Sequence, residues 1–477
     1  MIDDALVPED HVILLFGANG DLARRKLLPA LFHLTQEGLM PRRFFIIGNS
    51  RSEMSDDEFT TFARSSVDEF CRCEATDSSW HEFSERLSYV SHEFRSGDTE
   101  PVDHAVRAAE AELGGQPRRL FYLAVPPPVF AVITQGLGAC GLAERARVIY
   151  EKPYGLDLDS FRELDDAVHA VLDESQVFRI DHFLGKETVQ NILALRFANG
   201  MFEPVWNRDH IDHVQIDVPE TLGIGTRAGF YEQTGALRDM VVTHLLQVLS
   251  FVALEPPTSL APKPLLDEKV KVFESMVPLQ PDDVVRGQFD GYRDVEGVAP
   301  DSDTETFVAA RFFVDNWRWA GVPFFLRTGK RMAEARSSVV LAFRSPPHQM
   351  FREVPRDRFG HDHLALELGP EEGVTATFLA KAPGPTIKLA PARMEFRYQG
   401  SFGSELIEAY ERLIHDALIG DRTLFTRAGG IRRIWGILAD LIAYPPPLHP
   451  YPQGSWGPDE ATELISPRRW HLPAEQA

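Results

Sequence analysis

The stretch His11-Val-Ile-Leu-Leu-Phe-Gly17-Ala-Asn19-Gly20-Asp21-Leu22-Ala23 carries the first structural decision of this chain. Six residues that begin with a histidine and continue apolar run into a glycine, as in a buried strand that ends in a tight turn. From Asp21 to Gln36 the apolar residues Leu22, Leu27, Leu28, Leu31 and Leu34 recur at helical spacing. Strand, glycine turn and helix make a βα unit whose helix N-terminus suits a phosphate. The glycines are spaced GxxG, with Ala23 later, rather than GxGxxG. An ordinary βα turn has the same outline, so this stretch alone does not decide between the two.

Further strands read at Phe44–Gly48, Arg119–Val125, Arg147–Tyr150 and Gln176–Ile180, with helical segments between them. Alternation of this kind predicts a doubly wound parallel sheet over residues 1–180. After Lys186 the pattern changes. Val284–Tyr292, Thr306–Val314, Ser337–Phe343, His363–Leu368, Val374–Lys381 and Met394–Tyr398 read as strands, mostly without long helices between them. A large, mostly antiparallel sheet is expected over 181–477, with helices at about Thr234–Phe251, Glu405–Ile419 and Gly430–Ile442 covering one face. A chain of 477 residues is too long for one compact core, so two domains are expected.

Net charge is -22, which argues against nucleic acid held by a general positive field. An anionic ligand would need local Lys, Arg and His clusters. The N-terminal residues show no signal peptide and no apolar run approaches a membrane span. Three cysteines without histidine partners fit a reducing cytoplasm and no zinc site.

The junction of the two patterns is Arg179-Ile-Asp181-His182-Phe-Leu-Gly-Lys186-Glu187. It is a strand end leading into a helix over Lys186–Ala198, so Asp181, His182 and Lys186 fall near helix N–H groups. Each alone reads as an ordinary surface charge; three in nine residues suit a phosphate and an acid that orients a base. This segment resembles the RIDH(Y)LGKE signature of the glucose-6-phosphate dehydrogenases. The resemblance recurs at Gly17–Ala23, Glu151-Lys-Pro-Tyr-Gly155, Phe202–Asp209, Arg238-Asp239 with His244–Gln247, and Phe325–Lys330, so it spans nearly the whole chain.

The resemblance implies a Rossmann-type domain over 1–180 and an α+β substrate-binding and oligomerisation domain over 181–477. It implies an NADP-dependent dehydrogenase that oxidises glucose 6-phosphate in the first step of the pentose phosphate pathway. Catalysis would fall to His244 as base and Asp181 as its carboxylate partner. A lone histidine in an apolar helix is more often a core residue, and the family match reverses that prior. Substrate would be held by His182, Lys186, Glu220, Asp239, Lys330 and Lys152. The cofactor would be held by Gly17, Asn19, Gly20, Asp21, Leu22, Lys26, Arg51, Asp98 and Lys152. Arg51 follows the second strand where an NAD-selective site usually has an acid, and a guanidinium there suits the 2'-phosphate of NADP. Glu53 nearby leaves use of NAD open. No metal ion is called for, and the implied assembly is a homodimer or homotetramer in the cytoplasm.

The chain departs from the family in three places. Phe183 stands for a tyrosine that touches the phosphate, and Ala335 for a second cation. Glu367 falls where animal relatives carry an arginine for a second, structural NADP, so one cofactor site is expected. Two alternatives stay open: a dehydrogenase of another aldose or aldose phosphate, and a dinucleotide-sensing relative without catalysis.

Overall fold

The computed structural model describes residues 7–225, 227–348, 350–351, 362–402 and 407–472. The extreme N-terminus and the first residues of the helix expected from Glu405 lie outside them. Two compact units emerge, the first from residues 1–185, 259–266 and 407–432, the second from 186–258, 267–406 and 433–477.

The first unit holds six parallel strands: β1 (His11–Phe16), β2 (Phe44–Ser50), β3 (Leu87–Ser91), β4 (Arg118–Leu123), β5 (Ala146–Tyr150) and β6 (Val177–Arg179). Their order is β3-β2-β1-β4-β5-β6, the doubly wound arrangement the alternation predicted. Every residue of β1 is buried, as a central strand covered on both faces requires. Six helices connect or follow the strands: α1 (Leu28–Gln36), α2 (Asp56–Phe70), α3 (Asp77–Ser84), α4 (Glu100–Leu113), α5 (Phe130–Ala139) and α6 (Leu158–His169). Strand β3 was not expected, because Leu87 and Tyr89 are its only fully buried positions in a polar stretch.

The second unit carries a nine-stranded sheet. Its strands are β7 (Ile211–Pro219), β8 (Val284–Phe289), β9 (Phe307–Phe313), β10 (Pro323–Gly329), β11 (Ser337–Phe343), β12 (His363–Gly369), β13 (Gly373–Lys381), β14 (Leu389–Arg397) and β15 (Leu448–Tyr451). The order is β14-β13-β12-β11-β7-β10-β9-β8-β15. Only β7–β10 and β8–β15 pair parallel, so the sheet is mostly antiparallel, as expected. Central strands β7 and β10 escaped the sequence reading because polar residues interrupt both. Asp217 and Arg327 lie opposite each other in the ladder and form a buried ion pair, with Nε to Oδ1 at 3.0 Å. The Arg327 guanidinium also lies over the rings of Trp456 and Trp470, so the charge is enclosed on all sides.

The helices of the second unit include α7 (Glu187–Phe197), α8 (Ala228–Ala236), α9 (Leu246–Ala253), α11 (Tyr398–Phe402) and α14 (Glu460–Ile465). A π-helical turn, Leu237–Leu245, joins α8 to α9. Contrary to the expectation that no apolar run approaches a membrane span, the run Ala228–Ala253 is long and apolar enough for one, but 89% of its apolar window is buried, so it is a core helix. Helices α10 (Pro262–Ser275) and α13 (Ala428–Ala443) contribute residues to both units. Helix α12 (Ala409–Ile419) corrects the expectation for Glu405–Ile419. Its described residues belong to the first unit rather than covering the second sheet. Its buried face of Leu413, Ile414, Ala417 and Leu418 shows that it is covered, and apolarity alone does not say by what.

Gly17 has φ of 79°, and a Cβ there would lie 2.2 Å from the Ala124 carbonyl oxygen. Gly97 has φ of 85° with open space around it. Gly97→Ala is therefore expected to cost only the left-handed backbone penalty, about 1–2 kcal/mol. Gly17→Ala adds a backbone clash and should cost clearly more. Urea unfolding of both variants measures the difference, and equal losses would mean that close packing at Gly17 is unimportant.

Candidate active site

The turn after β1 is fixed from the neighbouring strand. The Gly17 and Ala18 N–H groups both donate to the Asn49 carbonyl at the end of β2, at 2.8 and 3.1 Å. The buried Asn49 amide in turn donates to the carbonyls of Val90 and His92. Gly20 closes the turn with its N–H on the Gly17 carbonyl at 2.9 Å. The helix begins at once, through a π-helical stretch, Ala23–Leu27, that leads into α1. A glycine turn with backbone packed this closely, followed by a helix N-terminus, fits the pyrophosphate of a dinucleotide.

Around that turn the predicted cofactor residues are partly engaged. Asn19 donates to the Ser52 hydroxyl, in the loop after β2, at 2.9 Å. Asp21 is exposed and pairs with Arg25, and Leu22 is half-buried. Lys26 pairs with Glu408 at 2.9 Å. Arg51 is exposed just beyond β2 and forms no ion pair among the described residues. Asp98 contacts His92 and Arg95, which ties it to its own loop.

At the carboxyl end of β5, Glu151 is buried and accepts from the Tyr122 hydroxyl at 2.5 Å. It is also hydrogen-bonded to Tyr410 of α12, and burial pushes its carboxyl above the usual range. Both tyrosines are pushed up by burial and by this acid, so they remain hydroxyl donors. Lys152 follows, half-buried at the mouth of the sheet where ligands of this fold class bind. Asp181 is 1% exposed and shapes its own loop: the Phe183 N–H donates to its Oδ1 at 2.9 Å and the Leu184 N–H to its carbonyl. His182 stacks on the Tyr410 ring, nearly parallel at 6.2 Å. A Cβ at Gly185 would meet the Ala409 carbonyl at 2.8 Å, so the glycine of the signature lets α12 approach this loop.

In the second unit, Lys186 precedes α7. Glu372 faces it: burial pushes that carboxyl up and Lys186 pulls it down. Lys330 is buried and forms an ion pair with Glu220. The Tyr231 ring lies 5.7 Å from the Lys330 ammonium. Burial pushes the Tyr231 hydroxyl well up, and Asp239, Tyr451, Glu305 and Glu220 are close enough to push it further. That hydroxyl makes no hydrogen bond among the described residues. Lys330, Glu220, Asp239 and Tyr231 thus form one polar group inside the unit, and Tyr231 was missed by the sequence reading, where it passes for an aromatic core position.

Asp239 and His244, both buried, sit on the π-helical turn. Five residues apart, they would be about 140° apart round an α-helix of 3.6 residues per turn. The wider turn brings them closer round the axis. Its start is set by Gly235, whose φ of 57° breaks the helix and whose absent Cβ leaves room for Glu305 Oε1. Glu305 accepts from the Leu237 N–H and pairs with buried Arg286. At the other end, Arg196 donates to the carbonyls of Phe251, Val252 and Leu254 while paired with Glu203, and the Trp206 and Trp319 indoles donate to those of Val252 and Ala253. The Phe202–Asp209 motif therefore serves the His244 helix.

The departures from the signature also have places. Phe183 is 5% exposed. Glu367 is buried between Arg336 and Arg397 and accepts from Thr375. Arg336 is thus committed within the sheet rather than standing in for the cation missing at Ala335.

Residues 14–191 match the family model described as glucose-6-phosphate dehydrogenase, NAD binding domain, and residues 193–471 the model described as glucose-6-phosphate dehydrogenase, C-terminal domain. The chain is 40% identical over 485 residues to glucose-6-phosphate 1-dehydrogenase 2 of Mycobacterium tuberculosis, covering 97% of this chain and 94% of that one. It is 41% identical over 480 residues to the glucose-6-phosphate 1-dehydrogenase of Rhizobium meliloti, covering 96% of each. A solved glucose-6-phosphate dehydrogenase in complex with its substrate glucose-6-phosphate superposes with a TM-score of 0.90 at 34% identity, over 98% of this chain and 99% of that one.

Tyr231→Phe removes a buried hydroxyl that has no partner among the described residues. Stability is expected to stay level or rise, because an unsatisfied buried hydroxyl is worth about 1–3 kcal/mol against the fold. If the hydroxyl serves the substrate, KM should rise at the same time. Thermal melts and steady-state kinetics on the one variant check both, and a marked loss of stability would show that the hydroxyl is structurally engaged.

Proposed function

Because the chain belongs to the glucose-6-phosphate dehydrogenase family, we infer that it oxidises glucose 6-phosphate to 6-phosphoglucono-1,5-lactone with NADP, the first step of the pentose phosphate pathway. The observation that carries this reading is the polar group of buried Lys330 and Asp239 with half-buried Glu220 around Tyr231, with His244 on the same π-helical turn as Asp239. Hydroxyl-rich ligands need such paired donors and acceptors in a buried setting.

NADP, when bound, would supply the acceptor for the hydride from C1; the remaining tasks fall to side chains. His244 takes the C1 hydroxyl proton as general base. Asp181 is assigned by its motif as the carboxylate that stabilises the imidazolium. Glu220 and Asp239 accept from sugar hydroxyls, and Lys330 and Lys152 donate to the substrate. His182 and Lys186 anchor the phosphate and so hold C1 in register. For the cofactor, Gly17, Asn19, Gly20, Asp21 and Leu22 cradle the pyrophosphate, Lys26, Asp98 and Lys152 line the site, and Arg51 takes the 2'-phosphate. Residues 1–180 form the NADP-binding domain and 181–477 the substrate and oligomerisation domain. The working form is a homodimer or homotetramer in the cytoplasm.

A second reading, oxidation of another aldose or aldose phosphate, is favoured by two observations. Phe183 offers no hydroxyl, and the acid Glu372 faces Lys186. Both weaken phosphate recognition and leave hydride transfer untouched. Absorbance of the reduced nicotinamide, followed with a panel of sugars with and without phosphate, decides between them. Preference for an unphosphorylated sugar would overturn glucose 6-phosphate as the substrate.

His244→Ala should lose about 10²–10⁴ in turnover while still binding glucose 6-phosphate; near-normal turnover would remove it from the role. Arg51→Ala should raise KM for NADP and leave that for NAD little changed, since only NADP offers the 2'-phosphate. An equal rise for both places Arg51 elsewhere. Phe183→Tyr with Ala335→Lys should lower KM for glucose 6-phosphate and leave that for glucose unchanged. No gain with the phosphate ester would mean these two positions do not face it.

A further inference from the structure

The first unit holds a cysteine pair that the proposed reaction does not use. Cys71 ends α2, its N–H donating to the Val67 carbonyl, and Cys73 follows after a single residue. Both side chains are half-buried free thiols, and their Sγ atoms lie 2.6 Å apart. A bonded pair sits at ~2.05 Å, so the two sulfurs are already in contact and little chain entropy remains to be lost on joining them. The Cys73 N–H donates to Cys71 Sγ at 3.4 Å, which marks Cys71 as the sulfur that receives donors. Burial and the neighbouring sulfur push the Cys73 thiol up to about 12, so Cys73 keeps its proton until it is called on.

The residue between them is tied to a different helix. Arg72 donates to Glu411 Oε2 of α12 at 2.8 Å. Glu411 is buried, and its other oxygen pairs with His33 of α1 at 2.9 Å. One carboxylate thus joins the loop after α2, helix α1 and the first turn of α12. On the same turn, Glu408 pairs with Lys26 and Tyr410 is hydrogen-bonded to Glu151, the residue before Lys152.

We propose that Cys71 and Cys73 form a redox-active dithiol whose closure to a disulfide pulls Arg72 from Glu411 and loosens the first turn of α12. Closure brings the sulfurs together and turns the Cβ–S–S–Cβ dihedral towards a right angle, with the Arg72 backbone inside the ring. The Arg72 guanidinium is pinned at its far end, so the ring and the ion pair compete.

The step balances as thiol–disulfide exchange with glutathione disulfide. The Cys71 thiolate attacks one glutathione sulfur, breaks its S–S bond and expels one glutathione thiolate, leaving a mixed disulfide. Cys73 gives its proton to solvent and attacks the Cys71 sulfur, expelling the second glutathione. Two protein thiols are oxidised and one glutathione disulfide becomes two thiols.

The test equilibrates the full chain in buffers of reduced and oxidised glutathione, quenches with acid, and reads intact mass and titratable thiols after unfolding. The chain has three cysteines. Wild type is expected to fall from three thiols to one, to lose the mass of two hydrogens, and to recover both with dithiothreitol. Cys140→Ser should fall from two to none. Cys71→Ser and Cys73→Ser should instead take up one glutathione each without losing a pair. Amide hydrogen exchange over 409–419 should speed up about two- to fivefold on oxidation, the range an ion pair of this exposure supports. Reduced Arg72→Ala should show the same increase, and oxidation should add nothing to it. Three thiols persisting under the most oxidising buffer, or glutathione adducts on wild type without loss of a pair, would overturn the dithiol. A disulfide that leaves exchange in α12 unchanged would overturn its coupling to that helix. None of these readouts requires turnover, so they stand apart from the assigned reaction.

Discussion

The constraint on which the second unit turns is the burial of a polar pair inside an apolar helix. Most of the run from Ala228 to Ala253 is enclosed, and Asp239 and His244 lie in its middle. A helix so placed has no water to satisfy its ends or its break. The structure meets this with charged and indole donors drawn from distant sequence. Glu305, held by Arg286, takes the N–H group at the break near Gly235. Arg196, Trp206 and Trp319 take the last carbonyls. Burial pulls Arg196 down to about 10, with Glu203 opposing the fall, so it stays a cation at neutral pH. The π-helical turn can persist because both ends of the run are fixed.

The first unit solves the reverse problem, an opening at the edge of a buried sheet. Its glycine turn is bound to the end of β2 through the Asn49 carbonyl, and Asn49 is bound to the neighbouring strand through its amide. Nothing in that chain of hydrogen bonds needs a ligand, so the glycine turn is preformed. The same economy appears at β5, where Glu151 is held by two tyrosines and its neighbour Lys152 is left half-buried at the mouth of the sheet.

An acidic chain that handles an anionic ligand must place its cations with care. Several of its arginines are consumed internally. Arg179 joins Asp165 and Glu174, Arg327 joins Asp217, and Arg336 and Arg397 enclose Glu367. Buried pairs of this kind are costly to desolvate and costly to break, so they fix register more than they add stability. Arg51, exposed beyond β2, is the contrasting case.

Sequence alone determined that the first sheet is parallel and doubly wound, though not its edge strand β3, because buried parallel strands must be apolar throughout and alternate with helices. It also determined the family, because motifs such as Arg179–Glu187 combine charges that no packing rule demands. The tertiary structure decided what periodicity cannot encode. Strands β7 and β10 were hidden because Asp217 and Arg327 are charged, and only their pairing across the ladder permits their burial. Helix α12 showed an apolar face but not the surface that covers it, which is set by contacts between residues hundreds of positions apart, such as Arg72 with Glu411. Tyr231 looked like core until its ring was seen beside Lys330, among Glu220 and Asp239. The angle between Asp239 and His244 depended on a π-helical turn that Gly235 and Glu305 impose from outside the helix. A helix pattern read at 3.6 residues per turn has no term for that constraint.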